Sequence, residues 1–386
     1  MKALRVTRTP SKFAAAAIAS RLAPGAGGSV GPLELADVDD PDLPADDWVR
    51  LRPRLAGICG SDLATIDGRA SAYFEPIVSF PFTPGHEVVG SLPDGTRAVL
   101  VPVLSCVTRG IDPVCAACAA GRTNHCGRIA FGHLEPGLQT GYCSDTGGGW
   151  GAELVAHPSQ LLAVPEDLSD EAAVLVEPTA CAVHAAAVVA AGGASERVAI
   201  IGSGTLGLLT LAALRADGGA EVGTVVATAK YPHQRELATA LGADRVVAPR
   251  ELGRVVRSLT GAFVLDGGQL TDGVDLVIDC VGSEASLAQA LQVVGPGGEV
   301  LVVGMPGHTS LDLTGLWHRE TSLRGCYAYT RPDFERALTL VADAGLHRLL
   351  GATYPLSRYR EAIDHAANAG ARGAVKVAFD LRKPGR

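Results

Sequence analysis

Val198-Ala199-Ile200-Ile201-Gly202-Ser203-Gly204-Thr205-Leu206-Gly207 is the stretch whose reading decides the fold. An apolar run runs straight into a Gly-x-Gly-x-x-Gly turn, and the turn into a helix-forming segment, 205–216. Alone, that glycine pattern is a weak signal; between a buried strand and a helix it gains its confirming context. There Gly202 permits the tight turn, Gly204 lets the backbone approach a pyrophosphate and Gly207 allows close helix packing. Thr205 and Leu206 open the helix whose N-terminus faces the phosphates.

Working outward, the chain alternates strand and helix. Strands are expected at 197–201, 223–228, 245–247, 274–280 and 299–303, with helices at 205–216, 232–241 and 286–294. That rhythm implies right-handed βαβ units and a doubly wound parallel sheet. The end of the second strand selects the cofactor, because an acid there binds a ribose 2′-hydroxyl and repels a 2′-phosphate. Here Ala229 stands at that position, Lys230 follows and Arg235 lies a turn or so on. A small residue with cations beside it fits a 2′-phosphate, so NADP is expected over NAD.

Upstream, residues 1 to about 170 carry short apolar alternations separated by Pro and Gly, such as Trp48-Val49-Arg50-Leu51-Arg52, and read as a β-rich unit. Residues 24–31 read as a loop or hairpin tip, and 170–191 as one buried helix capped by Ser169 and ended by Gly192-Gly193. Helices at 333–344 and 359–369 and a strand at 374–379 close the chain, the strand returning to the first domain. At 386 residues the chain exceeds one hydrophobic core, which implies two domains.

A net charge of −8 and scattered basic residues argue against nucleic-acid and polybasic membrane contacts. No apolar run is long enough to span a bilayer. The alanine-rich run 13–19 behind Lys2, Arg5, Arg8 and Lys12 reads as a loop or helix rather than a secretory signal. Four of nine cysteines crowd between Cys106 and Cys126, which suits metal binding in a reducing, cytoplasmic setting better than a disulfide framework.

Two groups have metal-ligand chemistry. Cys106, Cys115, Cys118 and Cys126, spaced C-x8-C-x2-C-x7-C, suit a closed tetrahedral structural zinc. Asp112 is an alternative to Cys106, but four thiolates make the better-matched set. Gly57-Ile58-Cys59-Gly60-Ser61-Asp62 and Pro84-Gly85-His86-Glu87 place a thiol and an imidazole at glycine-flanked turns. A carboxylate, Glu87 or Glu177, would complete a three-ligand catalytic zinc site with an open fourth position.

These motifs resemble the zinc-dependent medium-chain dehydrogenase/reductase family, the alcohol, sorbitol and threonine dehydrogenase group, over nearly the whole chain. The resemblance implies an α/β fold: a GroES-like β-rich catalytic domain (1–175 and 331–386) with a structural-zinc lobe, and a Rossmann domain (176–330). It implies catalytic zinc on Cys59, His86 and Glu177 and a homodimer or homotetramer. It also implies that Ser61 receives the alcohol proton and that Lys376 contacts a cofactor phosphate. The histidine usual three residues after that serine is Ala64 here, so the proton needs another route, by water, a ribose hydroxyl or Glu87. The expected reaction is hydride transfer between NADP(H) and a secondary alcohol, a polyol, cyclitol, sugar or amino alcohol. The rivals are a metal-free alkene or quinone reductase of the same fold and an NADPH-binding protein without turnover.

Overall fold

The computed structural model describes residues 1–382 except 217, 218 and 266. Two compact units emerge: Met1–Ala180 together with the chain from Tyr329 onward, and Cys181–Ala328.

In the first unit, strand Val49–Gly57 is the hub. It pairs antiparallel with Val88–Ser91, with Leu154–Ala156 and with the closing strand Lys376–Asp380. Its Leu51, Leu55 and Ala56 are fully buried, and Leu51 and Ala56 share a core with Phe82, Trp150 and Phe379. The sheet continues through Arg97–Leu100 to Leu161–Ala163 on one side and to Leu350–Tyr354 on the other. The last strand therefore does return to the first unit, setting Ala378 opposite Gly57.

In the second unit all six strands are parallel, in the order Arg245–Val247, Val222–Thr228, Ser195–Ile201, Val274–Asp279, Val294–Val302, Ser322–Gly325. The strand order reverses at Ser195–Ile201, the strand that feeds the glycine turn. Such a switch point is where a doubly wound sheet binds its nucleotide.

Three sequence expectations need correction. The segment 170–191 is two helices, Asp170–Ala173 and Val176–Ala191. Ser169 Oγ does cap the first, accepting from Ala172 N at 3.2 Å. The break follows from Pro178, which lacks the N–H that would bond back to Val174 and whose ring clashes with that carbonyl. The segment 24–31 is no hairpin tip but contains the short helix Gly27–Val30, which follows helix Pro10–Leu22. Helix Leu252–Thr260 went unread, although Leu252, Val255, Val256 and Leu259 recur at helical spacing.

The N-terminal helices are tied down by one carboxylate. Asp67 is fully buried and accepts from Gly25 N at 3.1 Å and Gly27 N at 3.0 Å, while its carbonyl takes the Ser20 hydroxyl. Asp67→Ala would leave two buried N–H groups unpaired. We expect a loss of roughly 2–4 kcal/mol in urea unfolding and faster proteolysis within residues 10–30, with Asp67→Asn losing less because one acceptor remains.

Candidate active site and metal centres

Cys59 lies just past the end of strand Val49–Gly57, as the N-cap of helix Gly60–Ile66. Asp62, three residues on, reaches back so that Oδ2 accepts from Cys59 N at 3.0 Å, which fixes the turn that presents the thiol. Asp62 Oδ1 also lies 3.5 Å from His86 Nδ1. One buried carboxylate thus fixes the Cys59 turn and faces the imidazole.

His86 and Glu87 precede strand Val88–Ser91 and are 3% and 1% exposed. The Glu87 side chain lies over Gly57, where a Cβ would stand 1.8 Å from Oε2, so only glycine fits there. Trp150 Nε1 donates to the Gly57 carbonyl at 3.1 Å and holds this backbone from the other direction. The metal-binding atoms of Cys59, His86 and Glu87 all lie within 4.8 Å of one another. His86 Nδ1 is buried without a hydrogen bond, and Glu87 Oε2 faces Lys376 Nζ. A thiol, an imidazole and a carboxylate that converge in this way fit a zinc ion.

Glu177 does not join that group of donors. It is nonetheless beside them: Tyr329 Oη donates to Glu177 Oε1 at 2.7 Å, and both residues are buried. Burial pushes the Glu177 carboxyl up to about 7, His86 and Lys376 pulling against that and Glu87 adding to it. Lys376, expected to contact a cofactor phosphate, is 3% exposed and ion-paired with Glu87. Burial opposes its charge, but Glu87 and Cys59 outweigh that and raise its pKa.

Ser61 is half-buried in the first turn of its helix, and Ala64 is buried. Near them is a hydroxyl that sequence reading missed. Tyr142 Oη lies 3.3 Å from Asp62 Oδ1 and 3.4 Å from Thr65 Oγ1, and its ring packs beside His86. Nothing in its local sequence signals this, whereas Asp62 could have been found from its place three residues after an N-cap.

The four thiols Cys106, Cys115, Cys118 and Cys126 also converge within 4.8 Å, so Cys106 stands in the cluster and Asp112 does not. Cys115 N donates to Cys106 Sγ at 3.3 Å and Arg128 N to Cys126 Sγ at 3.4 Å. Backbone N–H groups of Cys118 and Gly127 bring the Cys115 thiol down to about 6, whereas burial raises Cys118. Four sulfur donors in such a shell fit a closed zinc site.

In the second unit Gly202 has φ +94°, and a Cβ on Gly207 would meet the Gly202 carbonyl at 1.7 Å. Gly204 is exposed with open space before it, at the N-cap of helix Thr205–Arg215; Thr205 and Leu206 are half-buried in its first turn. Thr228 Oγ1 accepts from Gly202 N at 2.9 Å and stitches the turn to the second strand. Ala229 is buried, Lys230 and Arg235 are exposed, and Arg235 Nε donates to the Ala229 carbonyl at 3.2 Å.

Comparison with known proteins agrees with this geometry. The pattern of the alcohol dehydrogenase GroES-like domain matches residues 45–166, and that of zinc-binding dehydrogenases residues 205–343. A probable zinc-binding alcohol dehydrogenase of Mycobacterium tuberculosis is 30% identical over 90% of this chain and 85% of its own. The chain belongs to the zinc-dependent medium-chain dehydrogenase family. L-Idonate 5-dehydrogenase of Vitis vinifera is 29% identical over 86% of this chain and 88% of its own. Sorbitol dehydrogenase of Bacillus subtilis is 28% identical over 84% and 88%. Among solved structures, a Sinorhizobium meliloti protein bound to NADP is 25% identical, with a TM-score of 0.71 over 98% of this chain and 99% of its own. As a medium-chain dehydrogenase with GroES-like and Rossmann domains, the protein is an oxidoreductase of the zinc alcohol dehydrogenase type.

The Glu177 carboxyl, raised from about 4.5 to about 7, sets a sign for stability. Its folded form holds the proton more tightly than the unfolded chain, so the metal-free protein loses stability as pH rises through that window. In chelator-treated protein, Glu177→Gln is expected to raise Tm relative to wild type at pH 8, with the difference shrinking towards pH 4.5. An equal Tm difference at both ends would contradict the raised carboxyl.

Proposed function

We propose that the protein oxidises a secondary alcohol reversibly to a ketone, using zinc and NADP. The observation that carries this is the convergence of Cys59, His86 and Glu87 in a chain that also holds a dinucleotide turn. Zinc bound there would polarise the substrate oxygen and lower the pKa of its hydroxyl, while the nicotinamide exchanges the hydride. Cys59 and His86 would hold the metal, with Glu87 and Glu177 as the carboxylates available to complete its shell. Lys376 holds Glu87 in place. Ser61 takes the alcohol proton, and the neighbouring hydroxyls of Thr65 and Tyr142 offer the way onward that Ala64 does not. Cys106, Cys115, Cys118 and Cys126 would hold the second, structural zinc.

The absence of an acid after Val222–Thr228, with Lys230 and Arg235 exposed beside buried Ala229, supports NADP over NAD. Relatives named for sorbitol and L-idonate support a polyol or sugar acid as the substrate class.

A panel of polyols, sugar acids and simple secondary alcohols, assayed with NADP and NAD in parallel, tests the reading. We expect turnover with two zinc ions per chain and kcat/KM at least about tenfold higher with NADP. Lys230→Ala with Arg235→Ala should erase that preference by raising KM for NADP alone. Turnover without zinc at the Cys59 site would favour a metal-free reductase, and a tenfold preference for NADH would end the NADP reading. Glu87→Gln and Glu177→Gln, compared for zinc content, separate the two carboxylates: the ligand's variant loses metal and the other keeps it.

A further inference from the structure

Outside the catalytic donors, the least accounted-for charge in the first unit is Arg109. It is fully buried. Its guanidinium donates to the carbonyl oxygens of Leu104, Phe131, Leu134, Glu135 and Gly137 at 2.7–3.3 Å. Every one of those partners is neutral, and among the described residues no carboxylate forms an ion pair with it. A cation taken out of water costs several kcal/mol unless an opposite charge offsets it. Carbonyl dipoles satisfy the five N–H donors but carry no net charge.

The turn that carries Arg109 begins in the thiol cluster. Arg109 follows Cys106 by one turn, its own N–H bonding to the Cys106 carbonyl at 3.2 Å. Burial opposes its charge, and the groups that act against that burial are Cys143, Cys126, Asp145 and Cys106. Cys143 is the first of these, and burial raises its pKa as it raises that of Cys126. Asp145 bonds to Glu135 N at 2.7 Å, one peptide away from the guanidinium. Cys106 and Cys126 are members of the four-thiol group. Four thiolates around a divalent ion leave a net charge of about −2, the counter-charge that a buried guanidinium requires.

We propose that Arg109 is a positioning residue of the four-cysteine metal site, holding its excess negative charge while clamping residues 131–137 to the ligand-bearing turn. The inference rests on the reading of that cluster as a zinc site. It makes metal and loop mutually dependent, because coupling between two bound states is reciprocal. The clamped segment leads on to Tyr142, whose hydroxyl meets Asp62, so an ordered lobe also serves the catalytic donors. Sequence alone gave no hint of it: an arginine three residues after a cysteine is ordinarily a surface charge.

The test is zinc affinity at the four-cysteine site, measured by chelator competition on full-length protein with Cys59→Ala in the background. Arg109→Met is expected to lower zinc affinity about 10–100-fold. Arg109→Lys, which keeps the charge but loses the fork, should recover most of it, and Asp145→Asn should change it less than about threefold. Zinc removal should deprotect amides of residues 131–137 in hydrogen exchange. Wild-type affinity in Arg109→Met, or Arg109→Lys as weak as Arg109→Met, overturns the charge role. An Asp145→Asn loss equal to that of Arg109→Met makes Asp145 the counter-ion instead. A parent protein that binds no zinc at these cysteines defeats the metal reading itself, before any Arg109 variant is compared.

Discussion

The buried ion pair between Lys376 and Glu87 is the constraint on which the first unit's architecture turns. Two charges removed from water are tolerable only when held against each other with their remaining valences satisfied. Holding them requires the closing strand, Lys376–Asp380, to lie beside Val49–Gly57, which in turn pairs with Val88–Ser91, the strand next to Glu87. The chain leaves the first unit at Ala180, builds a complete parallel sheet and comes back at Tyr329, and its last strand delivers the lysine. Gly57 follows from the same constraint, because the carboxylate that Lys376 grips occupies the space of a Cβ.

Much of this fold was legible because its signals are local. The Gly202 turn, the strand before it and the helix after it depend on glycine geometry and apolar runs, and residues ten apart suffice to read them. What escaped depends on partners far away in sequence. Residues 24–31 look like a glycine-rich loop until Asp67 supplies the acceptors that make a short helix worthwhile. The split of 170–191 was readable in principle, since Pro178 forbids the bond back to Val174, but a long run of Ala and Val masked it.

The site divides along the same line. Cysteine, histidine and glutamate at glycine-flanked turns announce themselves by residue type and spacing, as do the four clustered thiols. Tyr142, Tyr329 and Arg109 do not, since a buried hydroxyl or guanidinium acquires its meaning from what it faces. Lys376 is the instructive middle case: the family resemblance implies a cofactor phosphate contact, yet its partner, Glu87, is visible only once antiparallel pairing has brought the two strands to one hub.

Charge balance explains why the catalytic donors sit as they do. Cys59, Asp62, Glu87 and Glu177 crowd four acidic groups around His86, with Lys376 the cation that acts on both glutamates. Without a metal the crowding is frustrated, and the outcome is a Glu177 carboxyl pushed up to about 7 and an imidazole raised well above its usual value, Asp62 and Cys59 overcoming the effect of burial. A divalent cation among these donors would reverse both strains together, letting the carboxyl ionise and the imidazole give up its proton to become a ligand. The same logic operates at the second centre: there four thiolates would outnumber the charge of a divalent ion, and the surplus would fall to Arg109. Each centre thus carries one buried cation of its own, Lys376 against carboxylates and Arg109 against thiolates. In both, that side chain would neutralise what a bound metal leaves over, and it pins a strand or loop that brings donors to the site.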